Sequence, residues 1–119
     1  MRFLADEAGK YKMGVGLKNA GDIIPDVLDF INFSVNEQCI EYSECDTFAP
    51  FIQADKPVFN IEYPESAPEV ETQTVREICG TSGNATDTEG FSKVIKNMVL
   101  DGWVEYCDGD TYTTEVEGS

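Results

Sequence analysis

The chain has 119 residues, enough for one domain. A hydrophobic fraction of 41% with 11% aromatics argues against wholesale disorder. Its 23 acidic residues against 8 basic, with no histidine and a net charge of −15, repel phosphate backbones and anionic lipid, so neither nucleic acid nor a membrane is expected as a partner. A cationic ligand is drawn in; the same acidity also serves solubility alone.

The opening residues, Met1-Arg2-Phe3-Leu4-Ala5-Asp6-Glu7, place acids where a signal peptide needs an apolar core. No apolar run approaches the ~18 residues that span a bilayer. Four cysteines nevertheless point to an oxidising compartment, because their spacing fits no structural zinc site and histidine is absent. The pairing Cys39–Cys45 closes a short local loop and leaves Cys79–Cys107; reduced, buried thiols are the bland alternative. Disulfides without a leader imply that the chain lacks its natural beginning.

Residues 1–12 set Phe3, Leu4, Ala8 and Tyr11 at near-helical spacing, with acids early and lysines late. Met13 to Asn19 alternates apolar with small or polar residues and reads as a strand, with Met13, Val15 and Leu17 toward a helix layer and Lys18 at its C-terminal end. Ile23 to Phe30 reads as a short helix with Pro25 in its first turn. Phe30 to Val35 forms the central strand, followed at once by Asn36-Glu37-Gln38 and the acidic loop between Cys39 and Cys45. A helix over Asp46–Ala54, a strand over Val58–Tyr63 and a brief helix over Thr74–Cys79 come next. Gly80 to Gly90 is a loop holding the glycosylation sequon Asn84-Ala85-Thr86, whereas Asn32-Phe33-Ser34 on a strand reads as a chance match. Phe91 to Lys96 is the fourth strand; Trp103 after it is expected in the core, and 108–119 form an acidic, frayed tail.

Helices alternating with strands mean a parallel α/β sheet. Polar groups wait at every strand end: Lys18-Asn19, Asn36-Glu37-Gln38, Glu62-Tyr63 and Lys96. That recurrence matches the C-terminal face of a (β/α)₈ TIM barrel better than a single switch point does.

The segments Gly16-Leu17-Lys18-Asn19, Val35-Asn36-Glu37-Gln38-Cys39, Lys56-Pro57-Val58-Phe59, Ile61-Glu62-Tyr63 and Gly90-Phe91-Ser92 resemble glycoside hydrolase family 114, in consistent order from about residue 3 to residue 107. The resemblance implies endo-α-1,4-polygalactosaminidase activity, no cofactor or metal, and an extracellular full-length protein. It implies that residues 1–107 are strands five to eight of the barrel, a half barrel, and that Glu37 is a catalytic general acid/base. The family's other carboxylate is an Asp whose motif nothing here matches, so the isolated chain is expected to be inactive. Lys18, Asn19, Asn36, Gln38, Glu62, Tyr63 and Lys96 are the expected substrate-binding residues, with Tyr42 as a further stacking candidate. Half a barrel leaves open sheet edges that invite self-association. A second reading stays open: a non-catalytic carbohydrate-binding or vestigial protein.

Overall fold

The computed structural model describes residues 2–99 and 101–115. Helix α1 (Arg2–Lys10) leads to strand β1 (Gly16–Lys18), then a 3-10 turn at Gly21–Ile23 that runs into α2 (Ile24–Val27). Strand β2 (Phe33–Glu37) is followed by the 3-10 turn Cys45–Phe48 and α3 (Ala49–Gln53), then β3 (Val58–Glu62) and α4 (Thr72–Cys79). A 3-10 turn at Gly83–Ala85 precedes β4 (Ser92–Lys96), β5 (Trp103–Tyr106) and β6 (Thr111–Thr113).

The six strands form one sheet in chain order. Strands β1 to β4 are parallel, each joined to the next by a helical crossover, as the alternating pattern predicts. Where the strands end is less regular. The first is only three residues long, because Met13 to Val15 stay outside the ladder. The helix expected at Ile23–Phe30 is split between 3-10 and α geometry, and so is the one expected at Asp46–Ala54. Pro25 and Pro50 sit in the first turns of α2 and α3, where their missing N–H costs nothing.

The tail departs from expectation. Trp103–Tyr106 pairs antiparallel with β4, and Thr111–Thr113 folds back on it as a hairpin, so residues 108–113 are not a frayed end. The turn closes through Gly109 at φ 91° and the Tyr106 N–H bond to Asp110 O at 2.9 Å. Residues 116–119 of the expected tail lie outside the described residues. Trp103 is buried, in agreement with the core expectation. The two disulfides pair as the spacing suggests, Cys39 with Cys45 and Cys79 with Cys107; the second ties the end of α4 to the residue after β5.

Helices α2, α3 and α4 cover one face of the sheet. Ile24, Val27, Phe51, Val75 and Ile78 from the helices meet Leu17, Val58 and Ile95 from the strands in a single core. Residue alternation and the ladder register put Ser34, Asn36, Asn60, Glu62 and Lys93 on that covered face as well. The other face carries Lys18, Phe33, Val35, Glu37, Phe59, Ile61 and Val94, with no helix over it among the described residues. Here the rings of Phe33 and Phe59 meet edge to face at 5.9 Å, and Phe59 stays 42% exposed. The apolar stripe of α1 is likewise uncovered, with Phe3 and Leu4 exposed.

Gly102 marks how closely β6 packs. A Cβ there would collide with the carbonyl of Thr114, whose N–H bonds Gly102 O at 2.9 Å. The backbone cannot swing aside as a side chain could. Gly102→Ala is expected to lose about 1–3 kcal/mol in urea unfolding and to expose the hairpin to proteolysis; unchanged stability would show that the hairpin is not packed against the sheet.

Candidate active site

Glu37 is the last residue of β2 and projects from the uncovered face, its side chain 25% exposed. Three residues from the two neighbouring strand ends fix it. From β1, Lys18 Nζ lies 2.9 Å from Glu37 Oε1, and Asn19 Oδ1 accepts the Glu37 backbone N–H at 3.0 Å. Just past β3, the Tyr63 hydroxyl donates to Glu37 Oε2 at 2.6 Å. Parallel pairing explains the convergence: equal-handed strands bring their C-terminal ends to one rim.

The electrostatics follow. The Tyr63 hydrogen bond and then the Lys18 ammonium hold the Glu37 carboxyl below its ordinary range, against a smaller opposing push from burial. The Tyr63 phenol is pushed up to about 12, by burial first and by the Glu37 carboxylate second, so it remains a donor. A pocket of about 350 Å³ opens beside Glu37, with Asn19, Asp22, Glu44 and Thr47 in its walls. Three carboxylates against one exposed ammonium make a rim that favours a cation.

Of the residues expected to bind substrate, the structure brings Lys18, Asn19 and Tyr63 to Glu37 and separates others. Asn36 and Glu62, expected to bind substrate, sit on the opposite face at 0% and 3% exposure, away from Glu37. Alternation decides this: neighbours of an outward Glu37 must point inward. Asn36 Oδ1 accepts from Asn60 Nδ2 at 2.7 Å, and the Glu62 carboxylate is filled by Asn60 Nδ2 and the backbone N–H groups of Ile40 and Glu41. Lys96 donates to the carbonyls of Asp101 and Trp103, so it fastens the β4–β5 connection rather than reaching Glu37. Gln38 is half-buried with a left-handed backbone, φ 63°, and its N–H bonds Ile61 O at 2.8 Å. Tyr42 is exposed on the disulfide loop. Asn84 is exposed, whereas Asn32 Oδ1 already accepts the Val15 N–H.

Lys93 was invisible to pattern reading. Its half-buried ammonium donates to Ile78 O, Gly80 O and Thr88 Oγ1 at 2.8, 2.7 and 2.6 Å, closing the C-terminal end of α4. Burial lowers its pKa, with Glu62 and Glu89 pulling the other way. A lysine in mid-strand reads as surface from sequence alone. A larger cavity of about 430 Å³ lies beyond Glu62, between Glu41, Pro64, Thr74 and Glu77, and does not include Glu37.

This geometry has relatives. The model of the family described as glycoside-hydrolase family GH114 matches residues 1–112. The chain belongs to glycoside hydrolase family GH114. A GH114 assignment agrees with a second comparison: the crystal structure of Aspergillus fumigatus Ega3 in complex with galactosamine superposes at a TM-score of 0.75 with 50% identity, over 88% of this chain. The chain spans only 42% of that one. No curated protein matches it. Among the described residues, no helix is long and apolar enough to cross a membrane.

Tyr63→Phe removes the largest single contact that stabilises the Glu37 anion. The Glu37 pKa is expected to rise toward 4.5, read by carboxyl ¹³C NMR, and Lys18→Met should move it the same way. The folded pKa is depressed, so this stabilisation is complete above the unfolded value and is lost as pH falls through the folded one. Urea midpoints between pH 3 and pH 6 should therefore vary less steeply in either variant than in the parent chain.

Proposed function

We propose that this GH114 chain forms one wall of a site that cleaves galactosamine polysaccharide, with Glu37 as its general acid/base. The observation that carries this reading is the Glu37 carboxylate itself, standing at the C-terminal rim of parallel strands and gripped by Lys18, Asn19 and Tyr63. Ega3 at 50% identity was solved with galactosamine, a cationic sugar at neutral pH, and the acidic rim beside Glu37 complements such a ligand. Lys18 and Asn19 would orient the sugar, and Gln38 and Lys96 lie farther out along the same rim. Secretion fits the two disulfides.

The chain corresponds to strands five to eight of the barrel, in this reading. The uncovered sheet face and the bare stripe of α1 support it, because a complete barrel of ~250 residues would bury both. Glycoside cleavage needs two carboxyl groups across the scissile bond. The second is an Asp from the other half of the barrel, so the isolated chain should bind but not cleave. Lys18 and Tyr63 keep Glu37 in the anionic form that a base needs. Approach of that Asp would draw Lys18 away and raise the Glu37 pKa, giving the acid form for the first step.

Mixing the chain with a separately produced segment of Ega3 that this chain does not match is expected to yield cleavage of galactosamine oligomers. Glu37→Gln should reduce the rate about 10²–10⁴-fold. Cleavage by the isolated chain, or a reconstituted Glu37→Gln variant with full activity, would overturn the proposal. Binding of oligomers with no turnover in any mixture would favour a carbohydrate-binding role instead.

A further inference from the structure

We infer that Glu62 is the positioning residue of this site: its buried carboxylate anchors the turn that follows Glu37 and so fixes where Glu37 points. The inference rests on the reading of Glu37 above. Glu62 Oε2 accepts the Ile40 N–H at 3.1 Å and Oε1 accepts the Glu41 N–H at 3.2 Å, two consecutive backbone donors on one carboxylate. Asn60 Nδ2 donates to Oε2 at 2.8 Å, and the same amide reaches Asn36 Oδ1 at 2.7 Å and Cys39 Sγ at 3.4 Å. Every residue that flanks Glu37 on the chain, from 36 through 41 except Gln38, is thus tied to Asn60 or Glu62 or is Glu37 itself.

The turn needs that anchor. Gln38 adopts φ 63°, a left-handed conformation that costs a non-glycine residue of order 1 kcal/mol or more. It starts the small loop that Cys39–Cys45 and the Glu44 N–H bond to Cys39 O (2.8 Å) then close. A carboxylate suits the place because it only accepts, and three donors converge on it. Glutamine would turn an NH₂ toward one of those donors, leaving a buried N–H without an acceptor, at a cost of about 1–3 kcal/mol.

Successive residues of one strand end therefore hold Glu37 from opposite sides of the sheet. Glu62 acts through the backbone beneath it, and Tyr63 through the carboxylate above it. The dipeptide straddles the end of β3, where alternation sends one side chain down and the next up.

The charged groups around Glu62 are Lys93 from β4, Glu41 from the loop and Glu77 from α4 across the cavity, with the neutral Tyr63 phenol beside it. Burial, which outweighs its hydrogen bonds, raises the Glu62 pKa above the ordinary carboxylate value. Protonation converts one oxygen to a donor, so the Ile40 or Glu41 N–H is released as Glu62 titrates.

The test is NMR on the isotope-labelled full chain. In Glu62→Gln, amide hydrogen exchange at Ile40 and Glu41 should accelerate about ten-fold or more. The Glu37 pKa should climb toward 4.5 as its contacts with Tyr63 and Lys18 lose alignment, while amides of β4 and β5 keep their protection. An unchanged Glu37 titration in a folded Glu62→Gln chain would overturn the proposal, since a purely structural role predicts that result. Should that variant fail to fold, the parent chain decides: the Ile40 and Glu41 amide resonances must follow the Glu62 carboxyl through its titration, and amides that ignore it overturn the proposal. Neither readout uses turnover, so the assignment of Glu37 as acid/base and the positioning role of Glu62 stand or fall separately.

Discussion

The parallel pairing of β2 with β3 is the constraint on which the site depends. Its register sets Asn36 against Asn60 and Glu37 against Ile61. A slip of one residue would turn Glu37 into the helix-covered layer and Asn36 out of it, exchanging a paired rim carboxylate for a buried, unpaired charge. The hydrogen bond between the Asn36 and Asn60 side chains opposes such a slip from the covered face. The Phe33–Phe59 contact opposes it from the other. The Asn36–Asn60 lock sits one residue pair from the Glu37–Ile61 rim, and the aromatic one holds the start of β2, so the position of Glu37 is set by the strands and not by a flexible loop.

The covered face is unusually polar for a helix–sheet interface. Ser34, Asn36, Asn60 and Glu62 are buried together, and Ser34 Oγ, Asn36 Nδ2 and Asn60 Oδ1 find no partner within the described chain. Apolar residues at those places would pack more cheaply. What they would not provide is a set of directed bonds to the turn after β2.

Positive charge is scarce, and most lysines near the sheet have specific work. Lys18 faces Glu37, Lys56 donates to Leu28 O, Lys93 closes α4, and Lys96 fastens the connection after β4. Three of these four hold backbone carbonyls rather than acids. A chain with 23 acidic and 8 basic residues therefore keeps its negative rim largely unneutralised, with Lys18 the cation that meets Glu37.

Much was legible in the residue order. Alternation of helical and strand patterns gave the four parallel strands, and polar groups at strand ends located the rim, because period and strand-end placement are local properties of sequence. The cysteine pairing followed from spacing, and the family resemblance pointed to Glu37. The antiparallel hairpin was hidden, since Thr111–Thr113 is short, acidic-flanked and stabilised only by pairing with a strand already in place. Which face the helices would cover was also beyond local reading. Phe59 and Ile61 look like core beside Asn60 and Glu62, yet the polar pair is the one buried. Sequence could say that Glu37 and Glu62 are strand-end acids. Only the assembled sheet made one a partly exposed carboxylate and the other a buried group bonded to backbone N–H groups, because burial depends on what packs from elsewhere in the chain and not on the residue itself.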